Sequence, residues 1–160
     1  MKDIMIRLTG RHLGADSSDE DQIEFVTTGK AYNKGDATYV TYMEGEMSGL
    51  EKVRTMLRIG RDGEILMKRF GRERLMMDTV MEFQKGKRFS SLYPTPYGPL
   101  KMEILTNKII NTIQPEDCTG SLYIDYDIAL KGIAETRNML SIELYDPPGR
   151  QAEPSPARLS

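Results

Sequence analysis

Short segments of alternating polarity, each ended by Gly, Asn, Asp or Pro, run through most of this chain and dictate strands rather than helices. A strand turns successive side chains to opposite faces, so alternation commits one face to a core and the other to water. Ile4, Ile6 and Leu8 open the pattern; Ile23, Phe25 and Thr27 continue it toward Tyr32, and a third strand covers Thr38 to Met43. Val53, Thr55, Leu57 and Ile59 alternate with Arg54, Met56 and Arg58. Glu64 to Phe70, then Leu75 to Phe83, then Phe89 to Tyr93 and Leu100 to Thr106 follow. The last two, Leu122 to Leu130 and Met139 to Leu144, alternate most cleanly. Between them lie turn residues that tolerate or preset unusual φ: Asn33-Lys34-Gly35-Asp36, Arg61-Asp62-Gly63, Gly71 to Glu73, Lys85-Gly86-Lys87 and Thr95-Pro96-Tyr97-Gly98. A further loop spans Gln114 to Gly120, and another turn falls near Lys131 to Glu135.

Eight to ten short antiparallel strands at regular spacing form a sandwich or a barrel. One face is apolar throughout and the other charged, so a single interior is enclosed, and closure removes exposed edges. The expected fold is therefore all-β, a closed or nearly closed antiparallel up-and-down barrel over residues 1–146. From Pro147 the chain holds four prolines in fourteen residues and one large aliphatic side chain, Leu159, so residues 147–160 are expected to form a disordered tail.

The segment from Arg69 to Asn138 resembles the YwiB-like family, a group of small bacterial β-barrels of unknown function placed among the calycins with the lipocalins. The resemblance rests on Arg69-Phe70-Gly71, Met81-Glu82-Phe83, Tyr93-Pro94-Thr95-Pro96-Tyr97-Gly98 leading to Thr106, the Gly120 to Tyr126 strand, and Arg137-Asn138. Similar order and spacing extend from about Ile4 to Tyr145. It implies a lipocalin-like barrel and no activity.

Residue counts exclude much chemistry. Cys118 is the only cysteine and His12 the only histidine, which removes intrachain disulfides, thiolate clusters and multi-histidine zinc sites. No catalytic residue, metal or cofactor is expected, and the chain reads as a non-enzyme. No apolar run is long enough for a membrane-spanning helix, and Lys2, Asp3 and Arg7 interrupt any signal-peptide core, so the cytoplasm is the expected compartment. A net charge of −2 argues against a nucleic-acid partner. The window Lys68 to Arg88 does hold seven basic against three acidic residues. Its basic turns sit about 40 Å apart at roughly 3.3 Å per residue, which makes a poor continuous track. The acidic stretch Asp16 to Asp21 lacks calcium-loop spacing and reads as a solvated loop.

Arg69 is the residue to explain, because period two puts it on the same face as Ile65 and Met67. A cation inside a barrel must be paired or exchange its water for something else. It is either a receptor for an anion or carboxylate, or it keeps its head in water or bonds an internal acid. Tyr126, Asn138 and Thr106 place further polar groups on otherwise apolar faces, and with Arg69 they are the candidate ligand-binding residues. Met67, Met77, Met81 and Met102 fall on the same inner faces and would supply either an adaptable pocket wall or plain core filling. Two functions stay open: a barrel that holds a small, partly apolar or anionic ligand inside, or a protein- or RNA-interaction module that uses its outer surface over a filled interior. Oligomeric state is left open.

Overall fold

A computed structural model describes residues 1–14, 20–44, 53–70, 78–93, 97–131 and 134–148; of the residues at 14, 20, 21, 44, 53 and 134 it describes the backbone only. Ten strands make up these residues: β1 (Lys2–Gly14), β2 (Glu20–Lys34), β3 (Ala37–Glu44), β4 (Val53–Gly60), β5 (Ile65–Arg69), β6 (Thr79–Phe83), β7 (Arg88–Tyr93), β8 (Leu100–Asn111), β9 (Gly120–Leu130) and β10 (Ala134–Tyr145). They form one antiparallel sheet in the order β6-β5-β4-β3-β2-β1-β10-β9-β8-β7, a meander rolled into a nearly closed barrel. No helix among the described residues is long and apolar enough to cross a membrane.

Alternation fixes the wall. Ile4, Ile6 and Leu8 on β1, Val40 on β3, Leu57 and Ile59 on β4, and Ile65 and Met67 on β5 all turn inward and are at most 6% exposed. Met102, Ile104, Leu122, Ile124 and Ile142 complete the same core from the other wall. Among the methionines, Met67, Met81 and Met102 are buried core residues, while Met77 lies outside the described residues. Gly29 faces inward where β2 bends closely over its neighbours. A Cβ there would overlap the Thr41 carbonyl oxygen and sit 2.8 Å from Ile6 Cδ1.

Several boundaries differ from the sequence reading. The first strand runs on to Gly14, and the second begins at Glu20, because His12 and Leu13 pair with Asp21 and Glu20. Glu20 and Asp21 therefore belong to a strand, not to a solvated loop; Asp16 and Asp19 lie outside the described residues. The last strand begins at Ala134 rather than near Met139, since Ala134 pairs with Leu130. β8 continues past Asn107 through a bulge between Thr106 and Lys108, which lets Ile109 rejoin the inner face opposite Ile124. The expected turns at Gly71 to Glu73 and Thr95-Pro96, and the tail from residue 149, lie outside the described residues.

The meander is joined where β1 pairs β10, and its one interruption falls between consecutive strands, β6 and β7, which end the sheet on either side. The C-terminal ends of β1, β3, β5, β7 and β9 lie at one end of the barrel, the end at which Arg69 closes β5.

Candidate functional site

Directly opposed residues of an antiparallel pair share a face, so the register defines which side chains meet inside. One inner row runs Gly29, Tyr42, Thr55, Arg69, Thr79 across β2 to β6. A second runs His12, Asn138, Tyr126, Thr106 across β1, β10, β9 and β8. All four residues singled out from the sequence thus lie on the inner wall, three of them as register neighbours.

The second row reaches across the interior to β6 at Phe83, the register partner of Ile65. Tyr126 packs edge-on against Phe83 of β6, with ring centroids 4.8 Å apart and planes at 62°. Burial pushes the Tyr126 phenol up from its ordinary value, and the positive charge of Arg69 works against that rise. Arg69 and Tyr126 are therefore electrostatic neighbours although 57 positions separate them in the chain. Lys68, the next cation along, points the other way. Its ammonium pairs with Asp78 at 3.5 Å and, like Arg54, lies over the Phe70 ring.

Hydroxyl groups supply the other half of the site. Thr55 is 0% and Thr106 1% exposed, and neither Oγ1 has a hydrogen-bond partner among the described residues. A buried donor left unmet costs about 1–3 kcal/mol, so each such group calls for an explanation. Thr55 is the register partner of Arg69, and Thr106 that of Tyr126. The Tyr42 hydroxyl and Arg69 Nε are likewise sealed from solvent in the same row. Asn138 differs: its amide donates to the Thr136 carbonyl at 3.3 Å and to Thr136 Oγ1 at 3.1 Å, so it is used within its own strand.

Tyr42 and Thr55 were not singled out as site residues from the sequence. Their parity with Val40 and Leu57 marks both as inward, but nothing local says that β3, β4 and β5 align them with Arg69. On the outer face Asp125, which no local pattern marks, is 5% exposed beneath Arg137. Arg137 donates to it through Nε at 3.1 Å and Nη2 at 2.6 Å, and Asn107 at the bulge adds a third donor at 3.4 Å.

Surface clefts touch this site only at Gly29 and Tyr42. One of about 570 Å³ lies over Asp3, Lys30, Tyr42, Arg54 and Pro147, and another of about 460 Å³ is bordered by Leu13, Arg88, Glu103, Asp127 and Arg137. A third, of about 270 Å³, is lined by Ile65, Glu82, Phe83, Lys87 and Phe89, where β6 faces β7. None of the three is lined by Arg69, Tyr126, Thr106 or Asn138.

Residues 6–142 match the family model described as Domain of unknown function (DUF1934). The uncharacterized beta-barrel protein YwiB of Bacillus subtilis (strain 168) is 29% identical over 113 residues, covering 71% of this chain and 73% of that protein. The crystal structure of ywiB protein from Bacillus subtilis superposes with a TM-score of 0.68 at 25% identity, covering 89% of this chain and 91% of the other.

Proposed function

Since the chain belongs to the family Domain of unknown function (DUF1934), whose description assigns no activity, we propose a role from its own geometry: a non-catalytic cytoplasmic barrel that takes the anionic end of a small, partly apolar molecule at its inner wall. The observation that carries this reading is that Arg69 stands in register beside the unmet Thr55 hydroxyl on the inner wall of an otherwise apolar interior. A guanidinium binds a carboxylate through two parallel hydrogen bonds, and a phenol and a hydroxyl add donors around the same oxygens. In a medium of low dielectric such charge-assisted bonds are strong, and the apolar wall accepts the rest of the molecule. A single cysteine without an intrachain partner agrees with a reducing compartment.

The competing account is that Arg69 serves only the fold, bonding an internal acid or backbone carbonyls. Arg69→Met separates the two, because it keeps the length and the apolar stem while removing charge. Titration with 11-(dansylamino)undecanoate, read by dansyl fluorescence, should give saturable binding to the wild type. Arg69→Met should abolish it while the urea midpoint stays equal or rises, and the uncharged amide of the same probe should bind neither protein. Unfolding of Arg69→Met together with no binding by the wild type would leave Arg69 a structural residue.

A further inference from the structure

The charges on the outside of the barrel are sorted by wall. On β8, β9 and β10 the outward positions carry Glu103, Asp125, Asp127, Glu135 and Glu143 against Lys101, Lys108 and Arg137. Across β3, β4 and β5 the outward positions hold Arg54, Arg58 and Lys68 and no carboxylate. Lys30 and Lys34 extend the same sign onto the end of β2. The net charge of −2 conceals this segregation, because it sums over both walls and the turns. The acids that do approach the basic wall come from its margins: Asp3 to Lys30, Glu64 to Arg58 at 3.5 Å and Asp78 to Lys68 at 3.5 Å. Partly exposed pairs like these contribute little, so each cation can exchange its carboxylate for another oxyanion. Arg54 has no ion pair among the described residues and lies over the Phe70 ring at 4.9 Å.

Rings and a cleft are interleaved with these cations. Tyr32 and Tyr39 stack across β2 and β3 with centroids 5.2 Å apart and planes at 7°. Arg58 Nε donates to the Tyr39 hydroxyl at 3.3 Å. The cleft of about 570 Å³ opens on the same wall, bordered by Thr28, Lys30, Thr41, Met43 and Arg54. We propose that this wall binds single-stranded RNA, with phosphates on Lys30, Arg54, Arg58 and Lys68 and one nucleotide in the cleft. Lys30 and Lys68 share a register row three strand spacings apart, about 14 Å, so a strand crossing the sheet meets a cation on β2, β4 and β5. A positive track with ring faces beside it holds single strands, because every base has a face to stack. A duplex fits worse: its major groove takes a helix or a two-stranded ribbon, and this wall is a convex sheet. Thr28 and Thr41 stand between Lys30 and Arg54, and a hydroxyl both donates to and accepts from the ribose 2′-hydroxyl that separates RNA from DNA. The proposal shares none of the residues that carry the interior reading, so either can fail alone.

Fluorescein-labelled decauridylate titrated with the full chain, read by anisotropy, should bind saturably. Log affinity should fall against log salt with a slope of about −2 to −3, from three or four phosphates at roughly 0.7 each. Arg54→Glu/Lys68→Glu should weaken binding at least tenfold, and Arg54→Lys/Lys68→Arg should keep it within a few fold of wild type. Lys101→Glu/Lys108→Glu on the acidic wall should leave it unchanged. Decadeoxyuridylate should bind severalfold more weakly, and Thr28→Val/Thr41→Val should narrow that difference. Equal affinity for the two sugars overturns the assignment to RNA. Equal loss from reversals on either wall overturns the basic face as the site. Displacement by polyglutamate, or binding to phosphatidylglycerol vesicles, as strong as that of the decamer overturns the nucleic-acid partner. No binding by the wild type at about 50 mM salt overturns the whole proposal. Where the charge reversals do not fold, photocrosslinking of wild type to 4-thiouridine decamers decides: adducts on β2 to β5 support the proposal, and adducts confined to β8 to β10 overturn it.

Discussion

Thr55 and Thr106 are chemically alike, equally buried and each without a partner for its hydroxyl, yet they sit on opposite walls and differ in neighbour. Replacing a buried unmet hydroxyl with a methyl group removes a desolvation penalty, so Thr55→Val and Thr106→Val should each raise stability by roughly 1 kcal/mol. Stability alone cannot tell a packing residue from a binding one. Thr55 neighbours the guanidinium, so Thr55→Val should also weaken dansyl-undecanoate binding severalfold while the fold gains. Thr106→Val, next to Tyr126 but on β8, should weaken it less. Urea midpoints combined with probe titrations check the pair. Loss of stability in Thr55→Val would mean that its hydroxyl already has a partner within the protein.

At the scale of elements, the outer face of β9 and β10 is clasped by Asp125 and Arg137. Arg137's two hydrogen bonds, with Asn107 as the next contributor, hold the Asp125 carboxyl below the usual carboxylate range, against the opposing push of burial. A lowered native value means that the clasp contributes fully above the unfolded carboxylate pKa of about 4 and is lost as pH falls through the native one. Asp125→Asn should therefore lower the urea midpoint at neutral pH and flatten its decline in acid; curves that stay parallel to wild type would show that the clasp does nothing for stability.

Strand identity was largely legible because it depends on local alternation: the inward Ile4, Leu57, Met102 and Ile142 follow from parity alone. The Arg61-Asp62-Gly63 turn was legible for the same reason, and Gly63 adopts φ of +92° there. Strand ends were not, because Glu20 and Ala134 are strand residues only through partners a dozen or fewer positions away that no local pattern names. The missing β6–β7 ladder was hidden too. Lys85-Gly86-Lys87 announces a turn, but whether a turn zips or splays its strands depends on φ at Lys85 and on β8 taking its hydrogen bonds.

For the whole molecule, alternation says which face is inward but not which inward residues meet across the barrel. Which residue faces which across the interior follows from nine registers acting together, and the alignment of Tyr42 and Thr55 with Arg69 from two. On the proposed reading the barrel takes a carboxylate at Arg69, its charged inner residue. The most direct measurement of that central claim is native mass spectrometry of freshly purified wild type and Arg69→Met. Wild type should carry a fraction with an added small acid of a few hundred daltons, released on gentle activation, and Arg69→Met should fly bare. A wild type that remains bare after incubation with excess laurate, or an Arg69→Met that retains the acid as well as wild type, would contradict the account.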